Sequence, residues 1–159
     1  MTRAIYCVFL FLLACSAKES KESKEEQTAP SIKLSNLDGS SIDLDQYKGK
    51  TLFINFWATW CGPCIREMPS IARAKDQLQS SDIEFLFASN EEVESIQKFQ
   101  KKNGLDLNYV LAGNMEELRI EALPTTMIIN ARGEVVFSEI GFRQWDSPSN
   151  IELITKALS

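Results

Sequence analysis

Two cysteines three positions apart, Cys61 and Cys64, sit in the run Trp60-Cys61-Gly62-Pro63-Cys64. Thiols at this spacing on a helical turn can close an S–S bond with little backbone movement. They directly follow an apolar run, Thr51-Leu52-Phe53-Ile54-Asn55-Phe56-Trp57, which predicts a buried strand. A Cys-x-x-Cys at a strand's exit, opening a helix, is the arrangement of a disulfide-exchange site. The helix N-terminus presents unpaired N–H groups and a partial positive charge, and both favour a thiolate there. An ordinary thiol is only about 3% ionised at pH 7, whereas a pKa near 7 raises that fraction to about half.

The rest of the composition narrows the chemistry. The chain has 159 residues, enough for one domain, and no histidine. Histidine-based zinc and copper sites, Cys–His proteases and Ser–His triads are thereby excluded, and no metal site or cofactor is implied. The net charge is −5 with no basic patch, which argues against nucleic acid as a partner.

The remaining two cysteines, Cys7 and Cys15, fall in a targeting segment. Arg3 supplies a short positive start, and residues 4–13 are apolar almost throughout. That length suits a signal sequence and is too short to span a bilayer as a helix. The segment ends Leu12-Leu13-Ala14-Cys15, which resembles the bacterial lipoprotein lipobox. On that resemblance residues 1–14 are a signal peptide, Cys15 is the lipidated N-terminus, and Cys7 is removed. The alternative is an ordinary signal peptide with a chance cysteine. Either way the protein is expected in an export compartment, where disulfides persist and exchange. Residues 15–30 then form a charged linker, with Lys18-Glu19-Ser20, Lys21-Glu22-Ser23 and Lys24-Glu25-Glu26 as a near-repeat unable to build a core. As a flexible tether it would average roughly 20 Å end to end.

Residues 31–159 alternate strand and helix patterns. Asp38-Gly39 between Ile32-Lys33-Leu34 and Ser41–Leu44 predicts an N-terminal hairpin. A helix over 61–79 follows the apolar strand, with Ile65, Met68, Ala72 and Leu78 as its inner face and Pro69 expected to kink it. Residues 83–88 read as the next strand. Ser89 and Glu92 have capping-box spacing for a helix carrying Val93, Ile96 and Phe99 or Gln100 inward and ending at Asn103-Gly104. A short helix near 115–120 is expected, then strands over 126–130 and 134–140. Ser147-Pro148 opens a last helix with Ile151, Ile154 and Leu158 inward. Strand-helix-strand order demands parallel crossovers, and the closing strand pair is antiparallel. The expected fold class is α/β: a mixed sheet with helices on both faces and an N-terminal β-hairpin extension.

Phe56-Trp57-Ala58-Thr59-Trp60-Cys61-Gly62-Pro63-Cys64, then Glu67-Met68-Pro69, then Leu123-Pro124-Thr125-Thr126, resemble the thioredoxin superfamily. More narrowly they resemble its TlpA/ResA-type branch of exported, membrane-tethered thiol-disulfide oxidoreductases. The resemblance implies a thioredoxin-like fold, Cys61 as attacking thiolate, Cys64 as resolving thiol and Pro124 as a cis-proline against the pair. It implies a substrate groove formed by Trp60, Gly62, Pro63, Leu123, Pro124 and Thr125, with the Leu123 backbone free to pair with a substrate strand. Thioredoxins proper carry a buried acid where this chain has Asn55, which cannot accept a proton. The branch instead places an acid three residues after the second cysteine, and Glu67 fills that position. From spacing alone Glu67 reads as a solvated helix glutamate, whereas the resemblance implies a proton acceptor for Cys64. Trp57 is expected in the core and Trp60 half-buried at the groove's rim.

Cys-Gly-Pro-Cys is the dipeptide of the reducing members, so the resemblance implies a protein disulfide reductase. Its partners would be exported protein disulfides or dithiols, apocytochrome c among them, and a membrane thiol-relay reductant that recharges it. The protein is expected to be monomeric, lipid-anchored and periplasm-facing, at the inner or the outer membrane. The competing readings are a peroxidase-like or a copper-handling member of the same fold. Two thiolates alone would hold copper(I) weakly.

Overall fold

The strand that carries the motif, β3 (Thr51–Phe56), is buried along its whole length. Such a strand must lie at the centre of a sheet covered on both faces. The computed structural model, which describes residues 31–158, places it there. The expected signal segment, the lipidation at Cys15 and the linker lie outside the described residues. The other strands are β1 (Leu34–Ser35), β2 (Ser41–Ile42), β4 (Ile83–Ser89), β5 (Asn108–Ala112), β6 (Thr125–Ile129) and β7 (Val135–Ile140). They form one seven-stranded sheet in the order β2-β1-β5-β4-β3-β6-β7. Strands β3, β4 and β5 run parallel; β6 pairs antiparallel with β3, and β7 antiparallel with β6. The expected hairpin is present as β1 paired antiparallel with β2, and β1 extends the sheet by pairing antiparallel with β5.

Helices α1 (Gly62–Gln77) and α2 (Val93–Asn103) connect strands, and α3 (Pro148–Lys156) follows β7. The crossovers β3-α1-β4 and β4-α2-β5 step the same way along the sheet. Right-handed connections therefore put both helices on one face. There they share a core with α3: Phe53 and Trp57 from the β3 segment, Met68, Ile71 and Ala74 from α1, Ile96 from α2, and Ile154 from α3. The opposite face buries Leu52, Ile54 and Phe56 under Ile32, Ile42 and Met115, with Leu44, Tyr47, Leu118 and Ile120 packed alongside. The helices expected on both faces are thus divided unequally: among the described residues the second face carries a 3-10 turn (Leu44–Tyr47) and turns. The expected short helix near 115–120 is a run of turns, with Leu118 N–H bonded to the Asn114 carbonyl and Ile120 N–H to that of Met115.

Two local expectations are corrected. The inner face of α1 comprises Cys64, Glu67, Met68, Ser70, Ile71 and Ala74, while Ile65 and Ala72 are only half-buried. Polar Glu67 and Ser70 on the buried stripe hid the helical period. Ser89 does not cap α2: it ends β4, and Glu92 is the N-cap residue, its side chain making no capping hydrogen bond. The Ser89 hydroxyl accepts the Glu91 N–H at 3.2 Å and so stabilises a local turn instead. The end of α2 is as expected, with Gly104 at φ +65°, the left-handed conformation that favours glycine.

Candidate active site

Cys61 is the N-cap residue of α1, and its Sγ accepts the Cys64 N–H at 3.3 Å. The helix therefore points a donor at this sulfur, the geometry that stabilises a thiolate at a helix N-terminus. The two cysteines are joined as a disulfide with their Cα atoms 5.3 Å apart. Cys61 is 4% exposed and Cys64 fully buried, so Cys61 is the residue an incoming sulfur can reach. Pro63 follows Gly62 in the first helical turn, where its missing N–H costs nothing.

The Leu123–Pro124 peptide is cis. Pro124 is buried one residue before β6, whose Thr125 pairs with Phe56. The loop therefore stands at the same end of the sheet as the motif. Half-buried Leu123 packs against the cluster that contains both cysteines, and it precedes the β6 ladder. The Pro124 carbonyl accepts the Gly141 N–H at 2.8 Å, which ties this loop to the end of β7. The Thr125 hydroxyl donates to the Ala122 carbonyl at 2.6 Å and tightens the same turn.

Glu67 is not a solvated helix residue. It is 0% exposed, facing inward one helical turn after Cys64. Its Oε1 accepts from Asn55 Nδ2 at 2.8 Å, and its Oε2 accepts the Arg143 main-chain N–H at 3.0 Å. Burial raises the carboxyl above its ordinary value of 4.5, opposed by the hydrogen bonds from Arg143 and Asn55. The Trp145 indole also favours the charged form, although its N–H closes no hydrogen bond of normal geometry among the described residues. Asn55 is a buried, hydrogen-bonded amide; it also donates to the Thr126 hydroxyl at 3.0 Å, while its Oδ1 has no partner among the described residues.

The tryptophans separate as expected in kind. Trp57 is fully buried, with its ring 4.7 Å from that of Phe99 and 5.4 Å from that of Tyr109. Trp60 is 74% exposed, far more than the half-burial expected of a groove rim. Ile140 and Phe142, at the end of β7, are also exposed apolar residues near the Pro124 loop. Sequence reading passed over the segment 141–145, whose ties to Pro124 and Glu67 come from pairing across the fold. It also missed Trp145, fully buried with its ring 4.7 Å from Phe53.

A mixed sheet of this order, a cis-proline loop beside its central strands and a vicinal disulfide heading the first helix define a thioredoxin-fold thiol-disulfide oxidoreductase. Residues 26–138 match the AhpC/TSA family, and the chain belongs to that family. It is similar to the thiol-disulfide oxidoreductase ResA of Bacillus subtilis (strain 168), at 32% identity over 137 residues covering 83% of this chain and 76% of the relative. ResA of Geobacillus thermodenitrificans is 37% identical over 112 residues, covering 68% of this chain and 64% of the relative. Among solved structures, a thiol:disulfide interchange protein of the thioredoxin family from Chlorobium tepidum TLS is similar with a TM-score of 0.68 at 27% identity, covering 83% of this chain and 96% of that one.

Proposed function

We propose that the protein reduces disulfides in exported proteins, with Cys61 as nucleophile, Cys64 as resolving thiol and Glu67 as proton acceptor. The observation that carries this reading is the asymmetry of the pair: the reachable sulfur is the one facing a helix N-terminus, and the buried one has a buried carboxyl a turn away. In the reduced protein the Cys61 thiolate attacks one sulfur of a substrate disulfide and expels the other as a thiolate, which takes a proton from water. Cys64 then gives its proton to Glu67 and attacks Cys61 Sγ. The Cys61–Cys64 bond forms, the mixed disulfide breaks, and the second substrate sulfur leaves. Two electrons pass from protein to substrate. A membrane thiol-relay protein returns the disulfide to the dithiol.

The groove for the substrate is Trp60, Gly62 and Pro63 on one side and Leu123, Pro124 and Thr125 on the other. The resemblance to ResA-type proteins supports apocytochrome c or similar exported dithiol proteins as substrates. It also supports attachment to the cell envelope through a lipid on Cys15. Among the described residues no helix is long and apolar enough to cross a membrane. The vicinal cysteine separates this reading from a peroxidase, which has no need of a resolving partner three residues away. The test is Cys64→Ser in cells: covalent adducts with partner proteins, seen on non-reducing gels and identified by mass spectrometry, are expected. Turnover of hydrogen peroxide without any adduct overturns the reading.

A further inference from the structure

Between β3 and α1 the chain makes one tight turn. Trp57 N–H still bonds to the Ala88 carbonyl at 3.0 Å, and the Cys61 N–H closes the turn onto the Ala58 carbonyl at 3.0 Å. The turn's two central residues are Thr59 and Trp60. Thr59 is gripped from outside the motif by Glu91, which lies between β4 and α2. Glu91 Oε2 accepts the Thr59 N–H at 2.6 Å, and Oε1 accepts the Thr59 hydroxyl at 2.7 Å. The carboxylate is itself held by the Ser89 hydroxyl, which donates to Oε2 at 3.2 Å. Hydrogen bonds to an ionised acceptor are roughly twice as strong as neutral ones, and two on one residue fix its orientation as well as its position.

We infer that Glu91 is a positioning residue for Cys61 and holds the site in its reducing range by clamping the Ala58–Cys61 turn. The inference rests on the exchange reading above. The clamp holds the turn with the disulfide closed. It favours the oxidised protein, and so makes the dithiol the better electron donor, by as much as its bonds to Thr59 weaken on reduction. Its charge acts in the same direction. The Glu91 carboxylate, held on Thr59 two residues before Cys61, opposes a thiolate at Cys61 and thus disfavours the reduced state. Opposing it are the α1 N-terminus and the Arg66 guanidinium, whose Nη1 lies 3.6 Å from where a side chain at Gly62 would begin. Glu91 and Arg66 therefore flank the motif with opposite charges, one on a loop and one on the helix.

The experiment equilibrates the Cys61–Cys64 pair of the intact protein with a glutathione redox buffer at pH 8. It compares the native protein with Glu91→Gln, Thr59→Val and the conservative Thr59→Ser. Glu91→Gln keeps the side-chain shape but removes the charge and one acceptor. It is expected to shift the equilibrium at least fivefold toward the dithiol, about 20 mV at 29.6 mV per decade. Thr59→Val is expected to shift it in the same direction by less, and Thr59→Ser to restore the native value. Native values in both Glu91→Gln and Thr59→Val overturn the inference. If Glu91→Gln does not fold, an unchanged equilibrium in Thr59→Val overturns it alone. A native protein that does not exchange with glutathione at all sinks the exchange reading instead, so the two failures are distinct.

Discussion

The Glu67 carboxylate accepts the main-chain N–H of Arg143 at 3.0 Å, joining α1 to the loop after β7. Two residues earlier that loop donates the Gly141 N–H to the Pro124 carbonyl. Two residues later it donates the Trp145 N–H to the Ser70 hydroxyl at 3.0 Å. One short segment thus holds the cis-proline loop, the buried acid and the face of α1 behind the cysteines. Its outer residue, Phe142, stays exposed between these anchors.

Glu67 makes stability depend on pH in a direction opposite to most carboxylates. Its proton affinity is raised by burial, so between 4.5 and its raised value the folded protein binds a proton the unfolded chain has lost. Stability contributed by the neutral acid is complete below 4.5 and is lost as pH rises through the folded value. Glu67→Gln cannot ionise and is expected to lose this slope. Its melting temperature relative to the native protein should rise from pH 4 to pH 8, as thermal denaturation at several pH values will show. In the same variant the resolution of mixed disulfides should slow, measured by stopped-flow release of a model thiol. A native rate removes Glu67 from the mechanism.

Asn55→Asp places a second acid within 2.8 Å of Glu67 in a fully buried site. Two carboxyls at that range share one proton and resist the second ionisation. The variant is expected to be near native in stability at pH 4 to 5, where the pair is protonated. It should lose about 3 kcal/mol by pH 8, the order of cost for an uncompensated buried charge. Urea denaturation at both pH values checks this, and a pH-independent difference contradicts it.

The expectations that held were local or repeated. The apolar run 51–57, interrupted only by Asn55 after its first threonine, fixes β3 to within a residue of its observed end, because a central strand needs mainly apolar side chains on both faces. The cysteines are legible because their spacing is itself the chemistry. The Pro124 geometry was legible only through resemblance. The misses share one cause: contacts between residues distant in sequence. Ser89 and Glu92 have the spacing of a cap, yet the acid that matters there is Glu91, bonded to Thr59 across the fold. Glu67 lies on a helix with polar residues around it, and only the arrival of Asn55 and the 143–145 segment turns that face inward.

Trp60 leaves nearly three quarters of its surface in water beside the reactive sulfur. An exposed side chain of this kind adds little to folding, and replacing one normally changes stability by no more than about 0.5 kcal/mol. In the substrate groove proposed above, its worth would lie in contact with a partner, where tryptophans are over-represented among the energetically dominant residues. Trp60→Ala is therefore expected to melt with the native protein. It should lose roughly tenfold in kcat/KM toward a protein disulfide, about 1.4 kcal/mol, with much less change toward a small disulfide. Equal losses on both substrates would mean that Trp60 shapes the cysteine site and not the groove.

Tyr109 carries a hydroxyl that no described residue pairs with. Its ring packs between Trp57 and Phe87 with centroids 5.4 and 5.8 Å away. The hydroxyl is buried without a hydrogen-bond partner among the described residues. Burial pushes its pKa up to about 12, so the hydroxyl keeps its proton through the working range. A buried donor left unpaired costs about 1–3 kcal/mol, whereas an apolar replacement of the same shape loses nothing in packing. Tyr109→Phe is expected to raise stability by roughly 1 kcal/mol and to leave disulfide exchange unchanged. Urea denaturation and a turnover assay on the same sample check both halves, and a loss of stability would place a partner on that hydroxyl.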